Sequence, residues 1–503
     1  MDARLLKKKG LGDEKVTAME HVNVVLVGAG ISGLGLAHHV KEQCPEKSFL
    51  VLEQKATHGG TWELHKYPGI RSDSDLYTFG YRFKPWTGAP IADGDLILKY
   101  LEEVIEADQL EQNIRYNHKI IGASWSNAEK KWTLDVQRSD AQDIIQISCD
   151  FFVWTGGYYD HENAYTPDWP GFSDFQGEVI HPQFWPEDVD LNNKRVVVIG
   201  SGATAATLIP NISDECAHVT MLQRSPTYFW TDANRNEMAD RLRLLELPED
   251  WVHEIVRRDL LQTQKEIQHG AAQYPDYVKE ELLNAVREHI GPELTEKHFT
   301  PSYRPWQQRL AFVPDADLFK AVNDGKASVV TEHIDHFTPS GIQLKSGEEL
   351  AADVIITATG FNLLPIGGIP YTIDGNRFDP ASAYTHRGIM ISDLPNFAMI
   401  FGYLRTSWTM RVDLVADYIC RLFKLMEAKG AQSVVPKLRP EDQDMPQNRW
   451  IDPSEFDPGY MKRAAHLMPK SGDHEPWKFS PDYYEEKVQM PLFDLEDETL
   501  FYE

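Results

Sequence analysis

Glycines at a fixed spacing follow an apolar segment near the start of this chain. Gly28, Gly30 and Gly33 come directly after the β-branched run at residues 22–27, and a helical pattern begins after them. This order predicts a buried strand, a tight turn and a helix. The free N–H groups and the dipole of such a helix bind phosphate, and glycine lets a pyrophosphate approach closely. The motif predicts a dinucleotide site, although an ordinary glycine-rich turn has the same local pattern.

An acidic residue limits which dinucleotide this first loop can take. Glu53 ends the next apolar run, where a carboxylate binds the ribose hydroxyls of an adenosine. Facing a 2'-phosphate at about 4 Å, the carboxylate would cost on the order of 4 kcal/mol at an effective dielectric of about 20. The site is therefore predicted to bind FAD or NAD and to exclude NADP.

A second glycine loop repeats the pattern with the opposite charge. The apolar residues 195–199 precede Gly200, Ser201, Gly202, Ala203, Thr204, Ala205 and Ala206. The following strand ends at Arg224 and Ser225, which suit a 2'-phosphate through charge-assisted hydrogen bonds. A solvated surface arginine is the alternative interpretation of Arg224. We predict FAD in the first loop and NADPH in the second, an arrangement that passes a hydride from nicotinamide to flavin.

A loop with aromatic and charged side chains follows Glu53. Its residues 59–75 include Thr61, Trp62, Arg71, Ser72 and Asp73. An aromatic ring between glycine turns, followed by an arginine and carboxylates, is suited to holding a planar polar ligand. A surface loop with a packed tryptophan is an equally good interpretation of these residues by themselves.

The elements that must position these loops are predicted to form an α/β fold with two Rossmann-like dinucleotide-binding domains. An antiparallel excursion, with strands near residues 114–117, 120–125, 132–137 and 144–147, leads to a buried strand at 151–157. A similar strand at 353–360 suggests that the chain leaves the first domain and later returns to it. The amphipathic residues at about 234–298 are predicted to be a helical insertion in the second domain, with a role in packing.

These patterns divide the chain into four segments. We predict a flexible N-terminal extension at 1–20, followed by the first part of an FAD-binding domain at 21–160. An NADP-binding domain with the helical insertion occupies 161–350. The second part of the FAD-binding domain and a C-terminal region occupy 351–503.

Composition and charge narrow the class of protein further. The formal net charge of -27 and the pI of about 5.1 argue against nucleic acid and anionic membranes as partners. Four scattered cysteines with no zinc spacing indicate reduced thiols and no metal site. There is no apolar run long enough for a signal peptide or a membrane span. We expect a cytoplasmic protein whose partners are small molecules, and its oligomeric state stays open.

A third motif lies between the two glycine loops. Its residues are Phe175, Gly177, His181, Trp185 and Pro186. A connector with a structural histidine would explain them physically. As a pattern they resemble the fingerprint of class B flavoprotein monooxygenases, and the Trp-Pro ending is similar to that of the Baeyer-Villiger branch.

The resemblance runs from about residue 21 to residue 488 and implies roles for individual residues. Residues 67–86, 200–206, 222–228 and 305–319 look close to the ethionamide-activating monooxygenases and to relatives linked with long-chain alkane oxidation. It implies FAD contacts at Ser32, Glu53, Thr61, Trp62, Asp73 and Ile120. It implies NADPH contacts at residues 71–73, 200–206, Arg224 and Ser225. Arg309 would be the arginine beside the flavin, with Asp73 as its carboxylate partner, and His181 would serve domain rearrangement.

Two residues depart from the pattern of the resembling family. Gln308 stands where many members have a lysine that assists the 2'-phosphate. The preference for NADPH would therefore depend more on Arg224, and some use of NADH is expected. Arg304 stands where close members have asparagine, which would alter the entrance or the cofactor loop.

The implied reaction is oxygen insertion beside a ketone carbonyl, with NADPH and O2 consumed and an ester or lactone formed through a C4a-peroxyflavin. Transfer of oxygen to a soft sulfur would accompany it. The alternative is an S- or N-oxygenating flavin-containing monooxygenase on the same scaffold. The substrate pocket is expected within residues 387–408 and 445–477, but the substrate itself is not predicted.

Two other classes fit less well. A flavin disulfide reductase would need a cysteine pair after the first helix, and residues 44–62 contain only Cys44. A flavin-binding sensor without turnover would show uncoupled or absent NADPH oxidation with ketones.

Overall fold

A computed structural model describes residues 19–503. The predicted flexible extension at 1–20 lies outside the described residues except at Met19 and Glu20, and Glu20 already begins the first strand. The strands in chain order are β1 (Glu20–Val27), β2 (Phe49–Leu52), β3 (Ile114–Arg115), β4 (His118–Ser126), β5 (Lys131–Arg138), β6 (Asp143–Trp154), β7 (Tyr159–Ala164), β8 (Glu178–Ile180), β9 (Arg195–Ile199), β10 (His218–Gln223), β11 (Phe229–Asp232), β12 (Ala311–Pro314), β13 (Ala327–Thr331), β14 (Ile334–Thr338), β15 (Gly341–Leu344), β16 (Glu349–Ala351), β17 (Val354–Thr357), β18 (Phe361–Leu363), β19 (Tyr371–Ile373), β20 (Asn376–Phe378), β21 (Thr385–His386), β22 (Met390–Ile391), β23 (Phe397–Met399), β24 (Val434–Pro436), β25 (Asn448–Arg449), β26 (Lys470–Ser471) and β27 (Leu500–Tyr502).

The helices range from single turns to long rods. They are α1 (Ile31–Gln43), α2 (Thr61–Leu64), α3 (Leu76–Phe79), α4 (Gly94–Ala107), α5 (Ala203–Ile212), α6 (Glu237–Leu244), α7 (Glu249–Gln273), α8 (Pro275–His298), α9 (Asp317–Asn323), α10 (Trp408–Lys429), α11 (Gly459–Ala464) and α12 (Tyr483–Gln489). Over residues 19–503, none of these helices is long and apolar enough to cross a membrane.

The first sheet has nine strands, in the order β20-β19-β4-β5-β6-β1-β2-β3, with β23 beside β6. Strand β1 pairs in parallel with both β2 and β6. Val24, Val25 and Leu26 are almost fully buried, which explains why this strand has a continuous apolar sequence rather than an alternating one. Helix α1 follows directly, so the first glycine loop lies at the carboxyl end of a central strand.

One strand of this sheet is longer than its sequence pattern indicated. The predicted strands at 144–147 and 151–157 are joined in β6. On one side its first half pairs antiparallel with β5 and its end pairs in parallel with β23, while on the other side residues 147–154 pair in parallel with β1. The polar residues between the two apolar runs therefore mark a change of partner and not a break in the strand.

The second sheet is wholly parallel, in the order β13-β10-β9-β17-β8. Strand β17 pairs with β9, so the predicted boundary that placed residues from 351 onward in the first domain is wrong at this strand. A buried apolar strand that ends in glycine has the same sequence pattern in either sheet. Strands β7 and β18 pair with each other and carry the chain from one sheet to the other and back.

The helical insertion formed by α6, α7 and α8 packs onto the unit that contains the first sheet. Arg257 of α7 is buried, and its Nη1 donates to the carbonyls of Tyr77 (2.9 Å), Thr78 (3.3 Å) and Gly80 (2.9 Å). Further along the helix, Gln268 Nε2 donates to the carbonyl of Arg405 at 3.0 Å. The insertion therefore bridges the two units of the chain.

Candidate active site

A cavity of about 1000 Å³ lies where the two glycine loops meet. Gly28 and Gly30 line it after β1, and Gly200 and Gly202 line it after β9. Ligands of open α/β sheets bind beyond the carboxyl ends of the strands. Both loops therefore open onto one shared chamber.

The first loop has the geometry of a phosphate cradle. Gly28 has φ +91°, which favours glycine, and a Cβ on Gly33 would lie 1.8 Å from the Gly28 carbonyl oxygen. Helix α1 begins after Gly30 with no side-chain cap and no acidic residue in its first turn. Its N-terminal N–H groups and positive dipole end are therefore open to an anionic group.

The second loop offers the same features with more room. Gly200 has φ +138°, and a Cβ on it would lie 2.2 Å from the Ala358 carbonyl oxygen. A Cβ on Gly202 would meet nothing within 4 Å, so open space lies in front of this backbone. Helix α5 also begins without a side-chain cap or an acidic first turn. Both loops thus fit the pyrophosphate of a dinucleotide.

The residues at the two strand ends differ in charge, as the sequence indicated. Glu53 Oε2 accepts from the Ala29 N–H at 2.7 Å and its Oε1 accepts from the Lys55 N–H at 2.9 Å, while burial raises the pKa of Glu53. Arg224 is exposed, lines the cavity and pairs with no carboxylate in residues 19–503. Gln308 also lines this cavity, without a charge to add to that of Arg224.

An arginine and an aspartate from distant parts of the chain form a two-point ion pair in the cavity. Arg309 Nε donates to Asp73 Oδ2 at 2.9 Å, and its Nη2 donates to Oδ1 at 2.8 Å and to Oδ2 at 2.6 Å. Asp73, with smaller contributions from Tyr159 and Tyr460, raises the pKa of Arg309 well above its usual value. The Arg309 side chain keeps 44% of its surface exposed. A permanent cation is therefore held in a fixed direction and open to a ligand.

A second carboxyl group of the same loop, that of Asp75, also borders the cavity. Asp75 lines the cavity and begins α3, where its Oδ1 accepts from the Tyr77 N–H at 2.9 Å. Burial raises the pKa of Asp75 to about 7, and that single hydrogen bond only partly opposes the shift. No sequence pattern indicated the raised pKa of Asp75, because it comes from burial.

Most of the predicted cofactor residues line this cavity. They are Gly28, Gly30, Ser32, Glu53, Thr61, Trp62, Asp73 and Ile120 for FAD, and Arg71, Ser72, Gly200, Ser201, Gly202, Ala203, Thr204 and Arg224 for NADP. Arg71 is also engaged elsewhere, since its Nη1 donates to Asp317 Oδ2 at 2.5 Å. Gly33, Ala205, Ala206 and Ser225 do not line the cavity. Ala205 and Ala206 are fully buried in the core of the second sheet.

The fingerprint residues lie outside the cavity. Phe175 packs in an apolar cluster beside β9 and β10, and a Cβ on Gly177 would lie 2.4 Å from the Asp353 carbonyl oxygen. His181 Nδ1 accepts from the Gln183 N–H at 3.1 Å, and burial lowers the pKa of His181. Trp185 packs against the apolar core of the second sheet, and Pro186 follows it in the chain. These residues shape the connector, and a role in domain rearrangement stays a prediction.

Several cavity residues were missed at the level of the sequence. The C-terminal residues of the cavity lie within 387–408 and 445–477, where the substrate pocket was expected: Tyr403, Leu404, Arg405, Trp408, Tyr460 and Arg463. The missed residues belong to helix α7 and are Leu260, Thr263, Gln264, Ile267 and Gln268. Their spacing along α7 showed an amphipathic helix, but periodicity does not distinguish a face that packs in a core from one that borders a cavity. Trp408 Nε1 donates to Ser32 Oγ at 2.7 Å and thereby ties the C-terminal region to the first loop.

Two dinucleotide cradles of opposite charge around one cavity define a flavoprotein that takes electrons from a nicotinamide cofactor. A family model described as flavin-binding monooxygenase-like matches residues 93–364, and an NAD(P)-binding Rossmann-like model matches residues 26–85. The chain belongs to the flavin-binding monooxygenase-like family. The prediction that FAD and NADPH are its cofactors is confirmed.

Individual relatives agree with this assignment. The chain is 43% identical over 482 residues to the FAD-containing monooxygenase EthA of Mycolicibacterium smegmatis, covering 95% of this chain and 96% of that protein. It is 42% identical over 486 residues to the probable FAD-binding monooxygenase AlmA of Acinetobacter baylyi, covering 96% of each. The solved structure of OTEMO in complex with FAD and NADP is 18% identical with a TM-score of 0.71, covers 94% of this chain and 97% of that chain, and shares the fold.

Proposed function

We propose that this protein is an NADPH- and O2-dependent Baeyer-Villiger monooxygenase that inserts an oxygen atom beside a ketone carbonyl to give an ester or lactone. The observation that carries the proposal is the Arg309–Asp73 pair, which places a fixed cation in the cavity shared by both cradles. The fingerprint between the glycine loops, with Trp185 and Pro186 at its end, supports the same branch.

The proposed roles of the residues follow from their positions. When bound, FAD supplies the redox chemistry, accepting a hydride from NADPH and activating O2. Glu53 and the amides at the start of α1 would bind its adenosine and pyrophosphate, while Arg224 and α5 would bind NADPH. Arg309 would stabilise negative charge that develops on oxygen during transfer. Asp73 holds the guanidinium in direction and so reduces the cost of reorganisation.

A second candidate is S- or N-oxygenation on the same scaffold. The matching family model describes flavin-binding monooxygenases in general, and the names of the relatives EthA and AlmA specify no ketone substrate. An acidic carboxyl group in the cavity, Asp75, would supply a proton at neutral pH, which oxygen transfer to sulfur requires.

Product identification separates the two functions. NADPH consumption should be followed over linear, cyclic and aromatic ketones and over thioethers, with mass spectrometry of the products. We expect esters or lactones from at least one ketone class. Formation of sulfoxides or N-oxides without any ester would establish the second candidate. NADPH oxidation without any oxygenated product would exclude both functions.

Arg224→Ala should weaken the preference for NADPH. Charge-assisted hydrogen bonds to a phosphate contribute about 1.5–3 kcal/mol, so we expect the KM for NADPH to rise about tenfold or more. The KM for NADH should stay nearly unchanged, because NADH has no 2'-phosphate. Steady-state kinetics with both cofactors tests this.

The matched control is Arg195→Ala, which removes an exposed arginine paired with Asp353 at the other end of β9. It should change neither KM. If the ratio of the KM for NADPH to the KM for NADH were the same in Arg224→Ala as in the wild type, Arg224 would not bind the 2'-phosphate.

A further inference from the structure

Tyr460 lies on α11, a short helix of the C-terminal region, and its side chain lines the cavity. The segment before this helix is attached to the loop that carries Arg309. The N–H of Asp457 donates to the carbonyl of Gln307 at 3.1 Å, and Gln307 precedes Arg309 by two residues. The backbone therefore holds Tyr460 near the cation of the site.

Helix α11 is also fixed after Tyr460. Arg463 Nη2 donates to the carbonyl of Phe361 at 3.2 Å, and its guanidinium lies over the ring of Tyr165, 3.4 Å from the ring centroid. A polar group on an element that is held on both sides keeps its position when a ligand binds.

The hydroxyl group of Tyr460 is open to the cavity. Within residues 19–503 it makes no hydrogen bond of ordinary geometry, and its oxygen remains accessible. Burial, and to a smaller extent Tyr159, nevertheless raises the pKa of Tyr460 above its usual value. A hydroxyl that faced bulk water would not show this rise, so the open side of Tyr460 faces the enclosed cavity.

The guanidinium of Arg309 is the cationic neighbour of this hydroxyl. Through its charge and a side-chain contact, Arg309 opposes the rise in the pKa of Tyr460. Arg309 binds Asp73 with Nε and Nη2. A phenol beside a permanent cation turns its oxygen toward the cation and its proton away from it. The O–H of Tyr460 is therefore free to donate to an acceptor in the cavity.

Two neighbouring donors favour one kind of ligand group. A carbonyl oxygen has two lone pairs and can accept from the guanidinium and from the phenol together. A thioether sulfur is a weak acceptor and would leave the proton of the phenol without a good partner.

We propose that the Tyr460 hydroxyl donates a hydrogen bond to the carbonyl oxygen of the substrate, beside Arg309, and so makes the cavity prefer ketones to thioethers. Tyr460 is then a specificity-determining residue that contacts the substrate. The inference rests on the proposed function for the reaction of the carbonyl, but not for its binding.

The test observes the carbonyl of a bound ketone. The probes are acetophenone with a carbon-13 carbonyl and thioanisole, bound to the oxidised FAD-loaded protein with NADP+ present. Isotope-edited infrared spectroscopy gives the carbonyl stretching frequency, which hydrogen bonds lower, and the change in flavin absorbance gives the dissociation constants. In the wild type we expect the bound carbonyl to absorb below its frequency in hexane.

Tyr460→Phe removes only the donor. We expect the carbonyl frequency to rise relative to the wild type. The dissociation constant of acetophenone should rise about three- to tenfold, the range for one neutral hydrogen bond, and that of thioanisole should change by less than about twofold. The variant should fold, because the hydroxyl makes no hydrogen bond of ordinary geometry in the described chain. If it did not, Tyr460→Leu should show the same rise in frequency.

Tyr165→Phe is the matched control, because it removes a phenol hydroxyl that does not line the cavity and keeps the ring beneath Arg463. It should show the wild-type frequency and affinities.

Three results would overturn the inference. They are a wild-type carbonyl that absorbs as in hexane, an unchanged frequency and affinity in Tyr460→Phe, and an equal loss of affinity for both probes, which would indicate a role in packing alone. Because these measurements need no turnover, absence of ester formation would count against the proposed function alone.

Discussion

Arg309→Ala should abolish oxygen insertion while leaving the flavoprotein intact. Removing one preorganised group that stabilises a developing oxyanion typically lowers the rate by about 100-fold to 1000-fold. We expect product formation to fall by at least about 100-fold, with FAD content and the rate of NADPH-driven flavin reduction nearly unchanged. Product analysis and stopped-flow absorbance measure the two steps separately.

Two further variants give this experiment its controls. Arg309→Lys keeps a cation but loses the planar two-point pairing with Asp73, so partial activity is expected. Arg195→Ala removes an arginine from a similar two-point pair, with Asp353, at the opposite end of β9 from Gly200; neither residue lines the cavity, and the variant should have no effect. If Arg309→Ala formed oxygenated product at the wild-type rate, Arg309 would have no role in oxygen insertion, and the proposed function would lose its main support.

Asp75→Asn should make the protein more stable at alkaline pH and flatten its pH dependence. The native pKa of Asp75 is raised from 3.8 to about 7, so the native state holds a proton that the unfolded state has released. Below about pH 4 Asp75 is protonated in both states and does not lower the free energy of unfolding. As the pH rises from about 4 to about 7, the free energy of unfolding falls, because only the unfolded state releases the proton. The shift of about 3 pKa units corresponds to on the order of 4 kcal/mol.

Asparagine keeps the hydrogen bond to the Tyr77 N–H and begins a helix as well as aspartate does. Denaturant unfolding of the FAD-loaded protein at pH 5 and pH 8 should therefore show a higher free energy of unfolding for the variant than for the wild type, and the difference should be larger at pH 8. Asp93→Asn, at the exposed start of α4, is the control and should show no such pH-dependent gain. The same pH dependence in wild type and Asp75→Asn would show that Asp75 stays ionised.

The features of the site that depend on local chain order could be predicted from the sequence. The two glycine loops, Glu53 and Arg224 each follow a strand directly, so the position of the strand determines the position of the residue. Arg309 and Asp73 are far apart in the chain, and no periodicity connects them. Their pairing was predicted only through the family resemblance.

The features that could not be predicted from the sequence depend on how each element packs in the folded protein. The sheet to which β17 belongs is not encoded in its own apolar sequence, because both sheets offer a buried central position. Helix α7 showed its amphipathic face, but whether Leu260 and Gln264 face a core or a cavity depends on how α7 packs on residues 77–80. The raised pKa of Asp75 likewise depends on burial by residues distant in sequence.

The bridging position of α7 bears on how this chain could be recombined with its relatives. Exchanging residues between β7 and β18 as one block would separate Arg257 from the three carbonyls it binds at Tyr77, Thr78 and Gly80. In such chimaeras the buried guanidinium at position 257 would face backbone from the other protein, whose carbonyls need not lie in the same positions. Crossovers that transfer the loop at residues 71–90 together with the helical insertion should yield far more folded hybrids.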